Sequence, residues 1–185
     1  MVKYQDGNYY HIYNRGSRKG TIFFSEENYA YLLQLFNANS NKYATPIIAH
    51  CLMPNHFHML LFQQQGGSIS KTLQSTLNSY VQAVNKRYKL SGSLFQGKPK
   101  SVHVATERYL VQLVRYIHLN PVRAKLVGRP DQWQYSDYRR WVEGKVSTLI
   151  PGSFADFIAI RDSQFGGGDK YRMFVEEYRC GVDED

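Results

Sequence analysis

The apolar periodicity of the chain predicts an α+β fold of the ferredoxin-like, split βαβ kind: an antiparallel sheet with helices on one face and a C-terminal helix over the other. Three observations lead there. Segments that alternate like strands and segments with a one-sided helical stripe follow in the order β-α-β-β-α-β. Two of the strands meet at Pro54-Asn55, a spacing that suits a tight hairpin. The second strand of that hairpin, opening His56-Phe57-His58-Met59-Leu60-Leu61-Phe62, is apolar on both faces, as a central strand covered on each side must be.

Taken in order, residues 8–14 read as the first strand and residues 15–20, with two glycines, as a turn. A helix follows from Ser25, an N-cap residue with Glu26 and Glu27 in the first turn, and Tyr29, Leu32, Leu33 and Phe36 form its apolar stripe. Residues 46–53 and 56–64 are the hairpin strands, and Gly66-Gly67 ends the second. The next helix starts near Ser68, shows Ile69, Leu73, Leu77, Tyr80 and Val84 on one face, and ends before Ser91-Gly92-Ser93. A strand fits residues 100–105. After it Thr106 caps a helix whose stripe is Leu110, Leu113, Val114 and Ile117, and which Pro121 is expected to stop. At 100° per residue Tyr116 falls roughly 110° from the centre of that stripe and Asn120 roughly 70°, on the flank that also carries Tyr109. Residues 149–157 and 169–178 suggest two short helices joined by Gly166-Gly167-Gly168. The expected division is a domain over residues 1–142 and a helical extension of the same domain over residues 143–185.

The 185 residues are enough for one sizeable core. No apolar run approaches the ~20 residues of a membrane span, and Met1-Val2-Lys3-Tyr4-Gln5-Asp6 does not look like a signal peptide, so a cytoplasmic protein is expected. Two cysteines, Cys51 and Cys180, provide neither a disulfide framework nor a four-cysteine zinc site. Twenty-three Lys and Arg against fifteen Asp and Glu give a net charge of +8, which favours a polyanionic partner. The cations come in small groups, many beside aromatic residues: Tyr13 is near Arg15, which groups with Arg18 and Lys19, Tyr116 follows Arg115, and Arg123 opens a further group with Lys125 and Arg129. Aromatic faces stack on unpaired bases while cations track phosphates, a combination that suits single-stranded nucleic acid. Arg15, Arg18, Lys19, Arg115 and Arg123 are the candidate contacts.

His56 and His58 carry the strongest chemical signal. Strand side chains alternate, so both imidazoles leave one face of the sheet side by side, as a metal-ligand pair would. Other two-histidine chemistries lack their remaining parts. No His-Glu-x-x-His helix is present for a zinc peptidase, and no carboxylate follows in residues 59–65 for a cupin-like oxygenase. A hydratase of the carbonic anhydrase kind would want a third histidine in reach. His11, His50 and His103 read as core or surface residues. His118, roughly 160° around the helix from Tyr116, reads as structural.

The segments His50-Cys51-Leu52-Met53-Pro54-Asn55-His56-Phe57-His58-Met59-Leu60 and Arg115-Tyr116-Ile117-His118-Leu119-Asn120-Pro121-Val122-Arg123 resemble the two signatures of the HUH single-strand DNA transposases with one catalytic tyrosine, in particular those associated with repetitive extragenic palindromes. The likeness extends to Tyr13-Asn14-Arg15-Gly16, Ile22-Phe23-Phe24 and Trp133-Gln134-Tyr135-Ser136-Asp137-Tyr138. It implies a strand transferase acting on single-stranded or hairpin DNA. Tyr116 would be the nucleophile, with His56 and His58 as ligands of Mg²⁺ or Mn²⁺ and Asn120 as the third ligand. It leaves monomer and homodimer both open. A catalytically silent DNA-binding protein on the same scaffold is the alternative reading.

Overall fold

The computed structural model describes residues 3–144 and 154–177. Strands β1 (Asn8–Arg15), β2 (Ile47–Met53), β3 (His56–Gln63) and β4 (Lys100–Val104) form one antiparallel sheet in the order β2-β3-β1-β4. Helices α1 (Glu26–Lys42) and α2 (Ile69–Tyr88) lie on one face, and their Leu32, Phe36, Leu73 and Tyr80 close a core with Ile12, Phe57, Met59 and Leu61. On the other face Ile48, Leu60 and Val104 pack with α3 (Glu107–Arg123) through Leu110, Val114 and Ile117. The α+β architecture is therefore the expected one, and β3 is central with a layer on each side.

The second core continues into α4 (Tyr138–Glu143), α5 (Phe154–Phe165) and α6 (Gly168–Glu177), where Trp141, Phe157, Tyr171 and Val175 are completely covered. Residues 149–153 and 178 of the two expected short helices lie outside the described residues, as do Cys180 and the acidic end. No described helix is long and apolar enough to cross a membrane.

Local chemistry sets the element ends. The Ser68 hydroxyl accepts from the Lys71 N–H, and the Thr106 hydroxyl accepts from the Tyr109 N–H, so each satisfies a donor that the helix itself leaves free. Ser25 occupies the N-cap position of α1, yet its hydroxyl accepts from Tyr88 instead. Pro121 does not stop α3. It lies in the last turn, where a ring without N–H removes one hydrogen bond only, and the helix runs on to Arg123 before Lys125 turns left-handed at φ 57°.

The turn after β1 is tied to the hairpin tip. Gly16 N–H donates to the Asn55 carbonyl and Ile22 N–H to the Pro54 carbonyl, at 2.8 and 2.9 Å. A side chain at Gly16 would bring its Cβ to 2.0 Å from the Gly20 carbonyl oxygen, so the approach requires glycine.

Candidate functional site

The antiparallel register sets Tyr13 opposite His58 and Arg15 opposite His56, while His11 faces Leu60. By strand alternation His11, Tyr13, His56 and His58 all project toward α3. The α3 helix brings Tyr116 and Asn120, one turn apart, onto the same patch. The Tyr116 ring meets the His58 ring edge to face at 5.3 Å between centroids, and Asn120 Oδ1 stands 3.4 Å from His56 Nε2. His58 and Asn120 are buried; Tyr116 keeps 37% of its surface open and lines the clefts on either side of it.

Hydrogen bonds determine which nitrogen of His56 is bare. Asn55 Nδ2 donates to the Lys19 carbonyl at 3.1 Å, which turns Asn55 Oδ1 toward His56 Nδ1 at 2.6 Å. An amide oxygen only accepts, so His56 Nδ1 carries the proton and Nε2 carries a lone pair. Asn120 Nδ2 points back to the Tyr116 carbonyl at 3.5 Å, which leaves Oδ1 facing that lone pair. Two acceptors face each other, an arrangement that a cation between them relieves. Burial pushes the His58 pKa down to about 3, helped by the fields of His11 and His56, and burial lowers His11 to about 4. His56 is lowered as well, by burial first, against the Asn120 amide oxygen, which favours the protonated ring, and with help from the charge of Arg15. Rings held neutral near pH 7 keep their lone pairs available for a metal. Among the described residues no group of three His, Cys, Asp or Glu is placed to hold a metal; what converges is two histidines and an amide.

Two clefts flank the tyrosine and share Tyr13, His58 and Tyr116 as their common wall. One, of about 520 Å³, is lined by Asn14, Arg15, His56, Gln96, Lys98 and Lys100. The other, of about 540 Å³, is lined by His11, Val102, Tyr109, Gln112, Arg115 and Arg123. Residues 4–120, more than half of the chain, match the family described as "Transposase IS200 like". The chain belongs to the IS200-like transposase family. No curated protein matched it. Among solved structures its fold is similar to that of a REP-associated tyrosine transposase bound to a REP hairpin, at 16% identity and a TM-score of 0.65, covering 81% of this chain and 90% of that one.

Within the transposase, the expected site residues do not all gather. His56, His58, Tyr116 and Asn120 meet in one place. Arg15 and Arg123 line the clefts, and the Arg123 guanidinium lies 5.5 Å from the centre of the Tyr116 ring. Arg115 also reaches a cleft but is held by α6: it sits 4.2 Å over the Phe174 ring, bonds the Phe174 carbonyl and pairs with Gln112. Arg18 and Lys19 are exposed on the turn after β1 and line neither cleft.

His11, read from the sequence as a core or surface histidine, is buried at the site itself, with Nε2 2.9 Å from His58 Nδ1. Its strand parity with Tyr13 was visible, but the pairing of β1 with β3 was needed to bring it beside His58. His103 is exposed and bonds Asn8. His118 belongs to a buried structural cluster: Nε2 lies 2.8 Å from Asp137 Oδ1 and Nδ1 bonds the Tyr171 hydroxyl. Asp137 Oδ1 also accepts from the His50 N–H at 2.7 Å. Burial alone would raise the Asp137 carboxyl, but the fields and hydrogen bonds of His50 and His118 hold it far below the usual range. One carboxylate thus ties β2, α3 and α4 together behind the tyrosine.

Proposed function

We propose that the transposase cuts and rejoins single-stranded DNA beside a hairpin through a 5′-phosphotyrosine on Tyr116, with a divalent cation, Mg²⁺ or Mn²⁺, held by His56, His58 and Asn120. The observation that carries this reading is the packing of the Tyr116 ring on His58 beside the bare acceptors His56 Nε2 and Asn120 Oδ1, in the wall between two open clefts. A cation bound there would neutralise the charge that builds on the scissile phosphate and orient it for attack.

The chain's own residues do the rest. Tyr116 Oη forms its bond to phosphorus as the bond to the 3′ oxygen breaks, and the phenolic proton ends on the released 3′-hydroxyl. Phenolate is a tolerable leaving group, so the reverse attack reseals a strand without ATP. Arg123 supplies positive charge beside the phenolate, while Arg15, Lys98 and Lys100 offer phosphate contacts along one cleft and Tyr109 a stacking face along the other. The two clefts suit a strand that continues on either side of the cut, and the hairpin bound by the structural neighbour supports a hairpin substrate. Phe157, Tyr171 and Val175 share a core with α3, which supports reading residues 143–185 as an extension of the same domain.

The test is a denaturing gel with end-labelled hairpin DNA. The unmodified protein should give a covalent adduct that chelator abolishes, and Tyr116→Phe should give none while binding DNA nearly as well. An adduct with Tyr116→Phe would move the nucleophile elsewhere. Binding with no adduct at any metal concentration would favour the silent DNA-binding reading.

A further inference from the structure

We infer that His11 is a positioning residue: it accepts a hydrogen bond from His58 Nδ1–H and so keeps His58 Nε2 bare for the cation. This rests on the metal-site reading above. The two rings lie at 5.1 Å between centroids and within 22° of parallel, and His11 Nε2 stands 2.9 Å from His58 Nδ1, both residues buried. A neutral imidazole has one donor and one acceptor, so the contact has two possible polarities. If His11 donated, the proton of His58 would sit on Nε2 and block it as a ligand. If His58 donates, Nε2 keeps its lone pair.

Only the second polarity repeats what His56 shows, where an outer partner, Asn55, occupies Nδ1 and leaves Nε2 bare. The two strand histidines then share one design, with His11 doing for His58 what Asn55 does for His56. Tyr13 lies over His58 at 28° between planes and limits its rotation. Outer partners of this kind orient a ligand and raise its basicity, and losing one typically weakens metal binding 10- to 100-fold.

Metal-stripped protein titrated with Mn²⁺, with free ion followed by its paramagnetic resonance, tests the inference without reference to cleavage. His11→Phe keeps the ring volume and removes the acceptor; His11→Gln restores an acceptor near the position of Nε2. His11→Phe should bind Mn²⁺ about 10- to 100-fold more weakly and His11→Gln should recover most of the loss, with apo-protein melts verifying that each folds. Should His11→Phe not fold, His11→Leu takes its place in the same comparison. Unchanged affinity in His11→Phe would overturn the inference. So would equal loss in both variants together with one fewer nitrogen coupled to the bound Mn²⁺, which would make His11 a ligand. If the unmodified protein binds no Mn²⁺, the metal-site reading itself falls, a result distinct from either.

Discussion

Replacing Asp137 should unseat the tyrosine helix without touching the site. Its buried Oδ1 is the acceptor for two donors, the His50 N–H at 2.7 Å and His118 Nε2 at 2.8 Å. Asp137→Ala leaves both without that partner, each at a cost of about 1–3 kcal/mol, so a total of about 2–6 kcal/mol is expected. That is a large share of the roughly 5–15 kcal/mol by which a domain is stable. Asp137→Asn keeps the shape and a carbonyl acceptor and should lose only about 1 kcal/mol. Urea unfolding of the three proteins at neutral pH gives both numbers.

The same carboxylate sets an acid response with a definite sign. Its folded pKa is depressed, so its contribution is fully present above the unfolded value, about 4, and is lost as pH falls below it. Unfolding free energy measured from pH 5 to pH 3 should fall more steeply for the unmodified protein than for Asp137→Asn. A loss below about 1 kcal/mol in Asp137→Ala, or an equal acid slope in Asp137→Asn, would refute the clamp. Because the clamp joins β2 to α3, the adduct formed per folded Asp137→Ala molecule should fall, and Asp137→Asn should largely retain it.

What was legible in the sequence was what local periodicity encodes. The double-faced apolar run from His56 identified a central strand, and helical arithmetic placed Tyr116 and Asn120 on one flank with His118 turned away; the structure has all three so arranged. Features that depend on which elements dock were not legible. His11 becomes a site residue through cross-strand register, and Asn55 matters through a turn anchored by Gly16. Arg115 is drawn away from a free phosphate contact by α6, a helix expected from the sequence as part of the same domain but with no local pattern to say that it would dock against Arg115. Pro121 misled because its cost depends on position: in a last turn a missing N–H breaks one bond rather than the helix.

Two further outcomes follow from the cleft and the amide. Arg15→Ala should weaken binding of single-stranded DNA and lower the slope of log affinity against log salt by about 0.7, one phosphate contact, and an unchanged slope would remove Arg15 from the strand path. Asn120 decides between ligand and helix residue. Its Oδ1 faces the bare His56 Nε2 at 3.4 Å, and its Nδ2 makes only a long contact to the Tyr116 carbonyl at 3.5 Å. If the oxygen completes the metal site, Asn120→Ala should raise the metal concentration needed for half-maximal cleavage. Asn120→Asp, which keeps an oxygen there and adds charge, should not raise it. A role in the helix alone predicts the opposite pattern: both variants lose the amide donor, both melt lower, and neither changes the metal requirement. Metal titrations of adduct formation with melts alongside separate the two, and an unshifted titration for Asn120→Ala would leave His56 and His58 as the only protein ligands.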